Sequence, residues 1–370
     1  MLELVEGDFD AFFSAPFNCY GRDEPYVSPM QSDLRRFLSA SRNPLFRQQG
    51  AGTFFAVRQG GRAVGRVVAH VHRASNRLYG IERSYFGFFD CADDPEVAAR
   101  LLGAAEDWGR RQGCDEIAGN FNLTAMQQLG VLTEGFEHAP YTDMVYNPPH
   151  IPRLLEACGY TPFFPVSTHE IDLTTLDPSR LLGPKQQAIL GSAELRWVPL
   201  RRRGFHRVLE DARVVLNDGF AENPMFVPLT AEEFRFQAGE MMWIVDERVS
   251  VLAYRGDEPM GVVVCIPDLN PFLRSTRSRL GLLTPWHFVR HRLGRTRAVI
   301  IFYSVRRSFH NRGLNGAMLF KVTSALKAAG YARLGVTWIA DVNRESLRQM
   351  EKLGARRLHR LHLFRKRLVS

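Results

Sequence analysis

The segment Ala298–Leu319, AVIIFYSV-RRSFHNRGLN-GAML, decides how this chain is read. It opens with Val299–Phe302, a short apolar run rich in β-branched residues, which predicts a buried strand. A loop follows that holds Arg306, Arg307, Arg312 and a single glycine, Gly313. Apolar residues then recur at helical spacing: Leu314, Met318, Val322, Ala325, Leu326 and Ala329. A strand that enters a helix through such a turn offers unsatisfied backbone N–H groups and the positive end of a helix dipole to an anion. The same pattern also suits an ordinary strand-to-helix turn with solvated arginines, so it names no ligand by itself.

Charge points the same way. The 370 residues carry a net charge of +9, unevenly distributed. Between Asp268 and Asp341 lie eleven arginines, two lysines and no acid, and the loop sits inside this block. Such a field draws polyanions: nucleic acid, an anionic lipid surface, or the phosphates of coenzyme A. No DNA- or RNA-binding module is recognisable, and most of the block reads as strand and helix, so no specific nucleic acid is expected. The five cysteines are scattered without a Cys-x-x-Cys pair, which argues against a disulfide framework or a zinc site and fits a reducing compartment. No metal is expected. The N-terminus, MLELVEGDFDAFF, is acidic and lacks the run of a secretory signal, and no window approaches the ~18 apolar residues of a membrane span. The expected location is the cytoplasm, with peripheral contact at the inner membrane.

Length allows two or three domains. After an aromatic, Pro-punctuated start with a helix over 32–39, Thr53–Val57 and Ala63–Val71 predict a hairpin. Ser84–Asp90 is a third strand, Pro95 opens a helix closed by Gly113, and Ile117 starts another strand. The second half repeats this order. Arg196–Arg207 is basic and leads into a helix through Leu209–Leu216; Thr230 and Glu233 form a capping box. Val249–Tyr254 and Met260–Ile266 pair around Gly256, then come the central segment and a strand over 335–339. A helix opened by Asn343 and a final strand over 358–368 complete the chain. We therefore expect an α/β (α+β) fold of two related lobes: a degenerate lobe over 1–173, a connection over 174–195, where Pro178, Gly183 and Pro184 weaken the pattern, and a second lobe over 196–370. The first lobe has Asp90–Asp94 where the second has its basic loop, and these acids would repel phosphate.

His310-Asn311-Arg312-Gly313-Leu314-Asn315 resembles the pyrophosphate loop of the GNAT acyl-CoA N-acyltransferases, Q/R-x-x-G-x-G/A, and lies where that family has it, between strand and helix. His310 replaces Gln/Arg and Asn315 the last Gly/Ala; Asn tolerates the unusual backbone angles such a loop needs. The downstream strand, the Asn343 helix start and the closing Leu353-Gly354 are similar to the family's next unit. Several further segments narrow the resemblance to the tandem, YghO-like branch that includes bacterial ceramide synthases: Phe88-Phe89-Asp90, Tyr146-Asn147-Pro148, Asn217 with Pro228-Leu229-Thr230, and Pro267-Asp268-Leu269-Asn270. Asn120 stands where that branch usually has Pro.

This likeness implies two tandem GNAT-like lobes, each a mixed, mostly antiparallel sheet flanked by helices, with acyl-coenzyme A as donor and a long-chain amine, a sphingoid base, as acceptor. It assigns donor contacts to Ser304, Val305, Arg307, Asn311, Arg312, Gly313, Leu314 and Asn315, and oxyanion stabilisation to backbone N–H near Tyr303–Val305. Many members carry a Tyr general acid seven residues after the Asn; that position here is Met350. Candidate catalytic residues are Tyr303, His310, Asp268 and Asn343. Each has a plainer reading: core packing, loop shaping, turn closure and helix capping respectively. Asn120–Thr124, Gly130–Phe136 and Asp143–Pro149 are either loops or the lining of an acceptor pocket. Leu280–Val289, apolar residues among arginines, has the composition of an interfacial patch. The competing functions are an aminoacyl-tRNA-dependent transferase of the peptidoglycan type and a non-enzymatic binder of nucleic acid or anionic lipid.

Overall fold

The structure is a computed structural model that describes every residue except Arg22, Ala125, Gln127, Val369 and Ser370, and all side chains of the others but those of Gln49 and Glu240. The chain parts into two units: Met1–Ser167 with Asn270–Phe288 and His359–Ser370, and Thr168–Leu269 with Val289–Leu358.

The first unit runs β1 (Leu2–Glu6), α1 (Phe9–Cys19), α2 (Gln31–Phe37), β2 (Gly50–Gln59), β3 (Arg62–His72), α3 (Arg73–Tyr79), β4 (Arg83–Cys91), α4 (Pro95–Arg111), β5 (Glu116–Gly119), β6 (Val131–Glu134) and α5 (His150–Ala157). β7 (Thr161–Asp172) starts in this unit and ends in the next. The second unit continues with α6 (Pro184–Gly191), β8 (Leu195–Pro199), α7 (Phe205–Gly219), α8 (Ala231–Ala238), β9 (Val251–Arg255) and β10 (Glu258–Pro267). After α9 (Asn270–Thr276) and α10 (Thr284–Gly294) come β11 (Arg297–Val305), α11 (Leu314–Ala328), β12 (Arg333–Ala340), α12 (Arg344–Lys352) and β13 (Arg356–Arg367).

Each unit repeats one design: an antiparallel hairpin, a strand antiparallel to it, a helix, then a strand parallel to the last. In the first unit the sheet order is β1-β2-β3-β4-β5 with the C-terminal part of β13 beside β5; in the second it is β8-β9-β10-β11-β12 with β7 beside β12. Only β4–β5 and β11–β12 are parallel among the described pairings of these runs, as a helical crossover requires. The sheets are mixed and mostly antiparallel, as the sequence predicts.

Apolar residues on the inner faces make a core in each unit. In the first, Val67, Phe86, Ile117 and Phe364 of the sheet are buried with Leu101 of α4; in the second, Val263, Ile300 and Leu334 of the sheet are buried with Met318 and Leu319 of α11. The capping box of α8 forms as its sequence predicts, the Thr230 hydroxyl accepting from Glu233 N and the Glu233 carboxylate accepting from Thr230 N.

The stretch 174–195, which the sequence reads as a connection, folds onto the second unit. Residues 178–181 make a 3-10 turn and α6 follows, both packed against α11. Its prolines do not break structure: Pro178 and Pro184 stand at the first helical positions, where the missing N–H would have no partner in any case. Leu176 and Leu181 join the core. Among the described residues no helix is long and apolar enough to cross a membrane.

Candidate acyl-donor site

The site is built where β11 parts from β12. Their parallel pairing covers only Arg297–Ile300 against Arg333–Val336, although both strands continue, to Val305 and Ala340. Immediately after the last pair the register of β10 against β11 slips: Val264 faces Phe302 and Cys265 faces Ile300, so Ile301 is one residue too many. Such a bulge bends a strand away from its neighbour and leaves backbone groups unpaired on that side. Burial records the opening. Ile301, Phe302 and Tyr303 in β11, and Thr337 and Trp338 in β12, are only partly buried although they lie on inner strands. The two C-terminal strand ends lead into the loop 306–313 and to Asn343, so both borders of the cleft lie at the carboxyl ends of parallel strands, where open α/β sheets bind ligands.

At the mouth of this cleft stands the start of α11. Gly313 is its N-cap, in the left-handed region at φ +95, and no side chain caps the helix. The first N–H groups of α11 therefore have no side-chain cap, and the helix dipole lies behind them. Arg312 stacks over the Phe309 ring at 5.4 Å, and among the described residues no carboxylate pairs with it. Arg307 is differently placed: its backbone N–H donates to Asp218 at 2.7 Å, and its guanidinium lies 3.6 Å from Asp218 and Glu222. Arg306 pairs with Glu258. The loop thus carries one arginine set for an anion and two braced to acids of its own unit. Lys185 from α6 adds a second cation, its Nζ donating to the Asn311 carbonyl at 3.1 Å.

The other residues assigned by the resemblance mostly shape this loop. Asn311 takes the left-handed conformation at φ +59, a cost that Asn bears better than most residues. The Tyr303 hydroxyl donates to the Asn315 carbonyl at 2.8 Å, tying β11 to the first turn of α11, and burial pushes its pKa well above the usual phenol range. His310 shares a hydrogen on Nε2 with the Val305 carbonyl at 3.0 Å. Ser304 is buried against α7 with its hydroxyl on the Val215 carbonyl, and Val305 and Leu314 are core. Asn343 caps α12, its Oδ1 accepting from Ser346 N at 3.1 Å.

Asp268 is not brought to this group. Tyr303 pairs with Val263 and Ala298 with Pro267, so Asp268 lies five residues along β10 from the Tyr303 level, on the order of 17 Å at the rise of a strand. It is buried, and its Oδ2 lies 3.1 Å from Nε of Arg297.

The first unit holds the same geometry in a closed form. β4–β5 pairing ends at Phe86–Gly119, and β4 carries one extra residue just beyond, between Gly87 and Asp90. Here the gap is filled by the chain itself. A Cβ at Gly87 would meet the Phe121 carbonyl oxygen at 1.9 Å, and Phe88 N donates to Asn122 Oδ1 at 2.7 Å. All of β4 is buried. The helix start is filled too: the Asp94 carboxylate accepts from Glu96 N at 2.8 Å and from Val97 N at 3.4 Å. What remains is a polar pocket lined by Asn120, Asn122, Asn147, Tyr26 and the buried Arg66–Asp90 ion pair. The three stretches singled out in the sequence as possible pocket lining, around Asn120, Gly130 and Asp143, do meet there through Asn120, Gly130 and Met144.

The sequence profile of the acetyltransferase (GNAT) family matches residues 216–355, the region that contains the cleft and loop. Both units find counterparts in a tandem GNAT protein from the clavulanic acid biosynthesis pathway, which aligns over 100% of this chain and 99% of its own with a TM-score of 0.61 at 13% identity. The second unit therefore matches the acetyltransferase (GNAT) family model, and the whole chain has the fold of a tandem GNAT protein.

A GCN5-related N-acetyltransferase from Sphaerobacter thermophilus has the same fold, with a TM-score of 0.56 at 14% identity over 100% of this chain and 96% of its own. Two whole-length relatives are more similar in sequence. Protein YghO of Escherichia coli is 26% identical over 99% of this chain and 94% of its own length. The bacterial ceramide synthase of Caulobacter vibrioides is 26% identical over 96% and 94%. GNAT proteins use acyl-coenzyme A as donor, and the uncapped α11, Arg312, Lys185 and the open strand edge fit a pyrophosphate followed by a pantetheine arm.

Proposed function

We propose that this protein moves a fatty acyl group from coenzyme A to the primary amine of a sphingoid long-chain base. The observation that carries the reading is the whole-length similarity to a protein named bacterial ceramide synthase, combined with an open donor cleft in the second unit. The diphosphate of the donor sits on the α11 N-terminus with Arg312 and Lys185, and the pantetheine arm lies along the free edge of β11. The amine nitrogen attacks the thioester carbonyl, the C–N bond forms, the C–S bond breaks, and the thiolate takes up the proton lost by nitrogen. Backbone N–H groups of β11 beside the bulge stabilise the oxyanion. Every side-chain candidate near the cleft is committed to a structural hydrogen bond, so the acceptor enters as the neutral amine.

The rival reading, a nucleic-acid binder working through the basic block, loses support from the ion pairs. Arg295, Arg297, Arg306, Arg307 and Arg333 all pair with carboxylates from outside the block: Asp246, Asp268, Glu258, Asp218 and Asp172 respectively. The test is release of free thiol when purified protein meets palmitoyl-coenzyme A and sphinganine, with the N-acyl product identified by mass. Thiol release only with small water-soluble amines would sink the acceptor assignment and leave the acyltransferase standing.

A further inference from the structure

Of the eleven arginines in the acid-free block, five are paired as above and Arg312 stands at the donor loop. The other five, Arg274, Arg277, Arg279, Arg290 and Arg292, are all exposed and fall between residues 274 and 292. The same run carries an unusual surface. Leu280, Leu282, Leu283, Trp286, Val289 and Leu293 are between 54% and 101% exposed, half of all the exposed large apolar side chains in the described chain. α10 has no buried residue at all. A helix in water normally buries one stripe, and an apolar cluster of this kind marks an interaction surface. Trp286, Val289 and Leu293, at i, i+3 and i+7, share one face of α10, and Leu280, Leu282 and Leu283 are exposed in the turn that leads into it.

The segment is nevertheless held in place. Phe288 meets the ring of the buried Phe272 edge-on at 5.6 Å, the Ser278 hydroxyl donates to the Ser28 carbonyl at 2.6 Å, and Arg277 and Arg279 lie over the rings of Phe17 and Phe13. A fixed turn and helix that show leucines and a tryptophan outward, with guanidinium groups beside them and no acid in the run, match the interface of an anionic bilayer: apolar side chains enter the acyl boundary, Trp sits at the headgroup level, and arginines meet phosphates. A protein partner would need acids interleaved with an apolar groove; a lipid headgroup layer supplies both at once. We infer that residues 279–293 dock this protein on anionic membrane surfaces. The inference does not depend on which amine the enzyme acylates.

The experiment is co-sedimentation of the full chain with vesicles of phosphatidylglycerol and phosphatidylcholine, or of phosphatidylcholine alone, at low and high salt. In a Trp243→Phe background, which removes the other strongly exposed Trp, the emission of Trp286 is followed in parallel. Binding to the anionic vesicles, a blue shift of Trp286, and a loss of at least about tenfold at high salt or in Arg290→Glu/Arg292→Glu are expected. Leu282→Asp/Trp286→Asp should lose binding to a similar extent, while its thermal unfolding and its thiol release with coenzyme A donors dispersed in detergent stay near wild type. Equal binding by these variants overturns the inference, as does failure of the wild type to bind at low salt. Preferential binding of a single-stranded oligonucleotide, or dimerisation that these substitutions abolish while vesicles are ignored, also overturns it.

Discussion

Lys185 lies directly over Gly313. A Cβ built on Gly313 would come within 2.9 Å of the Lys185 main-chain carbon and 3.0 Å of its carbonyl oxygen, and Lys185 reaches past it to the Asn311 carbonyl. α6 therefore packs tightly against Gly313, and only a glycine fits beneath it. Gly313→Ala should cost about 1–2 kcal/mol for the left-handed backbone alone and displace α6, raising KM for the acyl donor. Gly313→Glu should abolish donor binding by calorimetry, with an unfolding temperature lowered by the same clash. Unchanged coenzyme A affinity in Gly313→Glu would remove the loop from the site.

The arginines of the loop separate by their partners. Arg312→Ala is expected to weaken coenzyme A binding by about 1–3 kcal/mol, the range for a hydrogen bond to a charged group. Arg307→Ala should change it by less than about 1 kcal/mol, since Arg307 is already spent on Asp218 and Glu222. Titration calorimetry on both variants checks the order; the reverse order would relocate the diphosphate.

One donor should bind per chain. The first unit fills its own gap with Phe121 and Asn122 and its own helix start with Asp94. Calorimetric stoichiometry near one is expected, and a value near two would show that this filling is displaced.

Asp268→Asn tests whether that carboxylate works in chemistry or in packing. Buried and facing Arg297, it should cost about 1–3 kcal/mol of stability, less than a fully buried pair because Arg297 is one-third exposed. The kcat of the folded fraction should remain within a few-fold of wild type. A kcat loss of a hundredfold with unchanged unfolding temperature would restore Asp268 as the base.

His70 makes the first unit sensitive to acid. Burial pushes its imidazole down to about 3, with Nε2 against the Phe121 carbonyl at 3.3 Å. The unfolded chain binds this proton below its ordinary value of about 6.5 and the folded chain does not, so stability falls as pH drops from 6.5 towards 3, by about 1.4 kcal/mol per pH unit. His70→Gln should flatten that slope in denaturant titrations at pH 7, 6 and 5, whatever it costs at neutral pH.

Local chemistry was legible in the sequence wherever one residue type has one physical use. Thr230 with Glu233, Pro95 opening α4, Asn343 opening α12 and the hairpin turn at Gly256 all formed as their patterns require. The repeated order of elements gave away the repeated α/β design, and the Gly313 turn the start of α11. α1 escaped notice because Pro16 sits inside it, and α6 because Pro178, Gly183 and Pro184 looked like linker. What pairing and packing decide could not be read from the residues alone. Whether Ile301 bulges, whether β11 parts from β12, whether Asn122 plugs the matching gap, and which arginines are already matched by distant acids all depend on partners far away in the chain, as Arg307 and Asp218 or Arg333 and Asp172 are. Tyr303, His310 and Asn343 carry the residue types of catalysis, yet the tertiary structure commits each to a hydrogen bond that shapes the site, because a polar group enclosed by the fold must be paired.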